Sequence, residues 1–597
     1  MRDSSYGEAL LSVPSGDTLT LESITIDGND VEASEAAILV KGSLTLEDGA
    51  TVQNNTRTVG ADESDWIDYS DGTRYYAVGG GISVIGGSLT MNDGAIVTNN
   101  TISDSEKIND QTTDAIGGGI GIYDGSSLTI NGGTISDNEA TTSGAARAMG
   151  GGIGVVAHED SANGSCTVNM AGGSVTGNTS TTLGGGIYLT TDGKNVEALI
   201  ANFSDGTISS NKTAYGGGIR TYGGTVHLTG TTISNNTAAY NGGGVYFGNY
   251  TEGILNGSEI SSNKATGNTT SGVCCGGSVF VYTSLSYESG EISNNEADRG
   301  AGIYAVNDLK LSAGEISENN ATGYGGGVFA ENTLTLSGEI EISDNTAVNR
   351  GGGVYAITVY MKDGAVVSGN SVTGSSGVGG GMFVAGYLEM SGGTIGGEDV
   401  SDGNTAYNSS GVYIGYDSTA DGVNIRMTGS HISNNTADYR GGGVYLTTGS
   451  FEMTGGYISG NSVTGNNSSG GGVYIPSGNS MTLDGGSISK NTALTSGGAI
   501  AVYGGSLTIS DGSIFDNRAT SQYGGGIFVT GSGAVAMSGG QISGNSAVKG
   551  GAIGSYGPGT INISGGEIVY NTSTSTGGAI RLDDNNTTAA TLNLTGG

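Results

Sequence analysis

One repeat governs the whole chain. The motif Gly-Gly-[Gly/Ala]-[Ile/Val]-[Tyr/Phe] places an apolar residue at Ile82, Ile120, Ile153, Ile187, Ile219, Val245, Val279, Ile303, Val328, Val354, Met382, Val412, Val444, Val473, Ile500, Ile527, Ile553 and Ile580. The mean spacing is about 29 residues, and the shortest, from Val279 to Ile303, is 24. A second motif, [Ile/Val]-[Ser/Thr]-x-Asn, recurs between the copies, with its Asn at positions such as Asn55, Asn100, Asn178, Asn236, Asn345, Asn435, Asn491 and Asn571. A third element lies between the two, such as Ser506-Leu507-Thr508-Ile509, closed by a Gly-rich turn.

Each element alternates with a period of two, the signature of a half-buried strand. Val444 and Leu446 share a face and Tyr445 takes the other, while Phe451 and Met453 flank an outward Glu452. A unit of three strands and about 27 residues cannot bury its own apolar face, but stacking on its neighbours buries it. The repeat therefore predicts an all-β, single-stranded right-handed parallel β-helix with three short strands per coil and about 18 or more coils. At ~4.8 Å per coil it would make a rod of about 80 Å. We expect residues 1–597 to form one continuous solenoid. Composition agrees: 117 glycines suit repeated tight turns, and with only 3 prolines and no Gly-X-Y period collagen is excluded. The recurring Asn is read as structural, a left-handed turn residue whose side chains hydrogen-bond along the stack. Several also fall in glycosylation sequons.

Three copies, Gly497-Gly498-Ala499-Ile500, Gly550-Gly551-Ala552-Ile553 and Gly577-Gly578-Ala579-Ile580, resemble the GGA[ILV] repeat of chlamydial polymorphic outer-membrane proteins. The partner FxxN motif of those proteins is matched with Ile or Val in place of Phe, as in Ile458-Ser459-Gly460-Asn461. More widely, nearly the whole chain resembles bacterial right-handed parallel β-helix surface proteins of the pectin-lyase-like superfold. That resemblance implies export, extracellular or cell-surface display, and adhesion. No positive segment followed by an apolar core opens the chain, so no signal peptide is visible, and Gly597 falls inside a recurring motif. We read the chain as a piece of a longer surface protein.

Acidic residues outnumber basic ones 56 to 20, for a formal charge of −36. So few cations disfavour nucleic acid as a partner, and also a cleft for acidic polysaccharides. No apolar run is long enough to span a membrane. The superfold includes enzymes, whose signatures are lacking here. Neither GHG nor RIK occurs; Asp583-Asp584 has no partner His, and Asp65-Trp66-Ile67-Asp68 is followed by Tyr69 with no His near. His158, His227 and His431 lie in different repeats, and His227 should face solvent. Cys166 shares parity with Val168 and Met170, which makes it an interior thiol, and Cys274 and Cys275 fall where other repeats have loop residues. No catalytic residue, resident metal or cofactor is expected. Asp62, Glu63, Asp65, Asp68 and Asp71 fall within ten residues and could ligate Ca²⁺, although a solvated acidic loop is the simpler reading.

Two features point to binding. Long connections follow Asn55, Asn100, Asn138 and Asn263, all leaving one corner of the coil, and loops on a rigid scaffold carry recognition. The residue after the apolar position is aromatic in nine consecutive copies, Tyr246, Phe280, Tyr304, Phe329, Tyr355, Phe383, Tyr413, Tyr445 and Tyr474. By parity they form an outward stripe, either stacking on one another or binding ligands. The expected function is that of a non-enzymatic adhesin-like surface protein whose loops and stripe bind glycans or host or neighbouring-cell surface proteins. The alternative is a carbohydrate-active enzyme, a lyase, hydrolase or depolymerase on the same fold, which a cluster of carboxylates on one face would favour.

Overall fold

The computed structural model describes residues 2, 7–59, 67–68, 74–104, 112–142, 146–158, 165–191, 195–267, 274–415, 424–585 and 588–596. The chain is all-β and makes about 19 turns of parallel β-solenoid. Among the described residues there is no α-helix; helical geometry is limited to short 3-10 turns such as Val196–Ala198 and Val400–Asp402. Among the described residues no helix is long and apolar enough to cross a membrane. The chain divides into two compact units, Met1–Asn307 and Asp308–Gly597.

A turn of the second unit shows how the repeat folds. Its strands are Val444–Leu446, Ser450–Met453, Tyr457–Ser459 and Ser462–Val463. The first three are those read from the repeat; the fourth, two residues long, follows the recurring Asn. Each pairs in parallel with its counterparts one turn before and after, as in Val412↔Val444↔Val473 and Ile425↔Phe451↔Met481. The first unit repeats the plan, with Ile120–Tyr123, Ser127–Ile130, Thr134–Ser136 and Glu139–Thr142 in one turn. Val444, Leu446, Phe451, Met453 and Ile458 are fully buried, as parity predicts. Burying a side chain of this kind contributes about 1.5–3 kcal/mol, and each turn buries several.

The recurring Asn side chains form a ladder inside each unit. Asn435 Nδ2 donates to Asn461 Oδ1 at 2.9 Å and to the carbonyl of Ile395 at 3.1 Å. The Asn435 backbone N–H also donates to Asn461 Oδ1, and Asn435 Oδ1 in turn accepts from the N–H and Nδ2 of Asn404. Every polar atom of this buried amide is thereby satisfied. The same pattern joins Asn100, Asn138, Asn178 and Asn211 in the first unit. Asn178 heads a sequon but is fully buried, which removes it as a glycosylation acceptor in the folded chain.

One expectation is corrected. The left-handed residue is not the ladder Asn but the residue before it: Asn99 (φ 52°), Asp137 (55°), Asn235 (57°), Asp344 (55°), Asn434 (59°) and Lys490 (55°). The reversal of direction happens one residue early, so the ladder Asn itself is not in the left-handed region and its side chain enters the core. Glycine is required at the corner before the first strand. Gly441 has φ +58°, and a Cβ on Gly442 would sit 2.4 Å from the carbonyl oxygen of Gly471. In one turn Ser409 takes the first of these positions at φ 47°, its hydroxyl bonded to the Val412 carbonyl.

Candidate ligand-binding face

The outer face of the first strands carries the nine aromatic residues as one column in each unit. In the first unit, Tyr246, Phe280 and Tyr304 are cross-strand partners, with ring centroids 4.5 and 5.3 Å apart and nearly parallel planes. In the second, Phe329, Tyr355, Phe383 and Tyr413 stack at 4.5, 4.9 and 5.4 Å. The next rings turn edge-on: Tyr413 to Tyr445 at 72° and Tyr445 to Tyr474 at 75°. The spacing follows from the ~4.8 Å separation of strands, which suits stacked rings.

The column points outward but is not bare. Phe280, Tyr304, Phe329, Phe383 and Tyr474 are buried, and Tyr246, Tyr355, Tyr413 and Tyr445 are half-buried. A second column covers it, formed by the residue just before each glycine corner. Tyr324↔Arg350 and Arg350↔Val378 are in parallel register there, and so are Val378↔Asn408. The Arg350 guanidinium lies 4.9 Å from the centre of the Phe383 ring, and that of Arg440 lies 4.8 Å from Tyr474 and 4.4 Å from Tyr439. In the first unit Arg220 lies 4.2 Å from the Tyr246 ring. Burial pushes the Tyr246, Tyr413 and Tyr474 hydroxyls up from the usual tyrosine range. For Arg440, burial opposes the charge, and the tyrosines around it, Tyr474 first, more than offset this. The covering column was legible in principle, because large or cationic residues precede many of the corners, but outward parity alone says nothing about a neighbouring column leaning over.

Further along the same face of the second unit is a half-open pocket of about 500 Å³ lined by Tyr523, Phe528, Tyr556, Gln522, Ser521 and Lys549. Lys549 Nζ and Tyr523 Oη both bond Asp583, at 2.9 and 2.7 Å, and Arg581 pairs with the same carboxylate. Burial works to raise the Asp583 pKa, but the bonds from Lys549, Tyr523 and Arg581 prevail and hold it at about 2. Asp583, expected to lack a partner His, is instead the hub of this cationic and phenolic network.

A second concavity of the second unit, about 420 Å³, opens on the third-strand face. Glu341, Asp344, Glu398 and Asp402 line it with Ser368 and Thr394, under the insertion that carries Val400–Asp402. Asp344 is raised above the usual carboxylate range, first by burial and then by the charges of Glu318, Asp402 and Glu315.

The other candidates stay apart. His431 stacks edge-on against Tyr457 at 4.9 Å, and His227 sits on a different turn, half-buried. Cys166 is buried, as expected, and its thiol is pushed up to about 11 by burial; Cys274 and Cys275 are free, buried thiols. Among the described residues no group of His, Cys, Asp or Glu could hold a metal ion. Asp62, Glu63, Asp65 and Asp71 lie outside the described residues, as does the side chain of Asp68.

The long connections supply further strands. Arg74–Val78, Thr112–Ile116 and Ala148–Met149 pair in parallel as a small extra sheet, with Ile67–Asp68 antiparallel to the first. Arg147 grips the buried Asp114 with Nε and Nη2 at 3.0 and 2.7 Å and with its backbone N–H at 2.8 Å. Val78, Ile116 and Met149 join Tyr76, Tyr123, Val156 and Tyr188 in one apolar cluster over the first-strand face.

No protein-family model matches the chain, and neither a curated protein nor a solved structure shows detectable similarity to it.

Proposed function

We propose that this chain is a non-enzymatic, adhesin-like extracellular surface protein that presents its first-strand face to glycans, or to proteins on host or neighbouring cells. The observation that carries this reading is in the second unit, where a column of rings, stacked from Phe329 to Tyr413 and edge-on to Tyr474, shares a face with a concave pocket bounded by three aromatic rings, an amide and hydroxyls. Flat rings beside convergent polar groups suit the apolar faces and hydroxyl edges of sugars. Weak contacts repeated along the coil axis would add through multivalency. The affiliation with chlamydial-type repeat proteins belongs to the same proposal and is supported by the Gly-Gly-Ala-Ile copies. Glycan-array binding and cell adhesion test it. A Tyr355→Ser/Tyr413→Ser/Tyr445→Ser variant, together with Tyr556→Ala, should stay folded and lose adhesion. Folded variants with undiminished binding would refute it.

The carboxylate-lined concavity supports a second reading, the carbohydrate-active enzyme. A carboxyl raised by burial and set among further carboxyl groups is equipped to carry a proton. Release of reducing ends or unsaturated products from a polysaccharide panel, abolished by Asp344→Asn, is the expected signature. No product from any substrate sinks this reading.

A further inference from the structure

We infer that the first-strand face of the second unit binds an anionic glycan, with Arg350 and Arg440 receiving its carboxylate or sulfate groups. The inference rests on the adhesin reading and names the ligand class for it. In a chain with 56 acidic and 20 basic residues a cation has ample choice of carboxylates. Some take one: Arg147 pairs with Asp114, Arg426 with Glu452 and Lys549 with Asp583. Arg350 and Arg440 are among those that do not, and both lie over the aromatic column instead. Arg350 is exposed and makes only ring contacts, with Phe383 and Tyr324. Arg440 rests on Tyr439, Tyr474 and Tyr503 and donates to the Tyr439 hydroxyl at 3.0 Å. Among the described residues neither meets a carboxylate.

A guanidinium lying on a ring uses its face, which leaves the in-plane N–H fork of Arg350, and the N–H groups of Arg440 that Tyr439 and Tyr445 do not take, for a planar or tetrahedral oxyanion. The two arginines occupy the same covering column three turns apart, so their charges are separated by roughly 14 Å at ~4.8 Å per turn. Val378 and the half-buried Asn408 lie on that column between them. A chain bearing anions at intervals complements this order of cation, neutral spacer and cation. The overall charge of −36 opposes any anion at long range. At physiological ionic strength, however, the Debye length is about 8 Å, so distant carboxylates are screened while contact pairs survive.

The test uses the full chain at physiological salt, with three immobilised probes of equal length: a heparin-derived oligosaccharide for sulfate, an oligogalacturonate for carboxylate, and a neutral cello-oligosaccharide. Wild type should bind at least one anionic probe at least about tenfold more tightly than the neutral one, and whichever binds identifies the anion. Arg350→Ala/Arg440→Ala should lose that preference while thermal unfolding and neutral binding stay unchanged. Arg350→Lys/Arg440→Lys should recover part of it, which separates charge from folding. Equal affinity for neutral and anionic probes, or an alanine variant with intact preference, overturns the inference and leaves the adhesin reading standing. Binding to none of the probes, joined by a blank glycan array, overturns both.

Discussion

Two stretches of the same strand column solve one problem in opposite ways. In the second unit the outer positions Phe329, Tyr355, Phe383 and Tyr413 are filled by large rings that stack on each other. In the first unit the equivalent positions Ser83, Gly121 and Gly154 pair in the same register but offer almost no side chain. That space is occupied from outside. A Cβ on Gly121 would lie 2.6 Å from Val78 Cγ1, and one on Gly154 would lie 2.5 Å from Ile116 Cγ2. The missing side chains are seats for the strands supplied by the long connections. One scaffold thus carries either a self-covering ring stack or a docked layer, and the residue at a single position decides which.

Substitutions in the two stretches should separate the two covers, read by thermal unfolding and by local amide exchange, since solenoids open locally. The Asn ladder is common to both stretches and sets the scale. Asn138→Leu and Asn435→Leu should each cost about 4 kcal/mol, because several buried donors and acceptors lose partners at once. A large difference between them would mean the stretches differ in their interior as well as their cover. Gly121→Tyr should cost up to about 3 kcal/mol by expelling Val78 from its seat, with faster exchange in Arg74–Val78. If it were neutral, the docked layer would not need the glycine. Phe383→Ala should cost about 3 kcal/mol, with the loss confined to Val354–Met361 and Met382–Met390. Tyr445→Ser, at a half-buried edge-on ring, should cost only about 1 kcal/mol. The smallest effect is a pH dependence. The Asp583 carboxyl is depressed in the folded chain, so its contribution is present above the ordinary carboxylate range and is lost as pH falls towards about 2. Asp583→Asn should flatten that part of an acid titration of stability, and an unchanged profile would show that the network carries no linkage.

The interior was legible because period-two parity is a local property. Val444, Leu446, Phe451, Met453 and Ile458 lie inside, and Asn recurs where a buried amide can bond its copies. What escaped depended on relations across the turn. The left-handed backbone falls at Asn434 rather than Asn435, because [Ile/Val]-[Ser/Thr]-x-Asn marks both residues and only the path of the chain separates them. The cover over the rings escaped because Arg350 and Phe383 are far apart in sequence and meet only after a corner is turned. The pocket escaped for the same reason: Tyr523, Phe528 and Tyr556 are unremarkable members of three columns until stacking brings them together. The carboxylates of the second concavity were likewise scattered over several repeats before the insertion near Val400 closed over them.

The Asn ladder also has a direction. Within each unit, a rung with a neighbour on both sides gives its Nδ2 and backbone N–H to the rung that follows in sequence and receives through Oδ1 from the rung before, as Asn435 does between Asn404 and Asn461. A finished turn therefore holds two donors towards the next one, and the incoming turn answers with a single carbonyl. Asn55, the first rung, has just such a carbonyl, buried and without a partner. The two faces of any turn are chemically unlike, so a turn stacked in inverted orientation would set donor against donor or acceptor against acceptor. Built into the side chains is a vector that runs with the chain and fits only turns laid down the same way up.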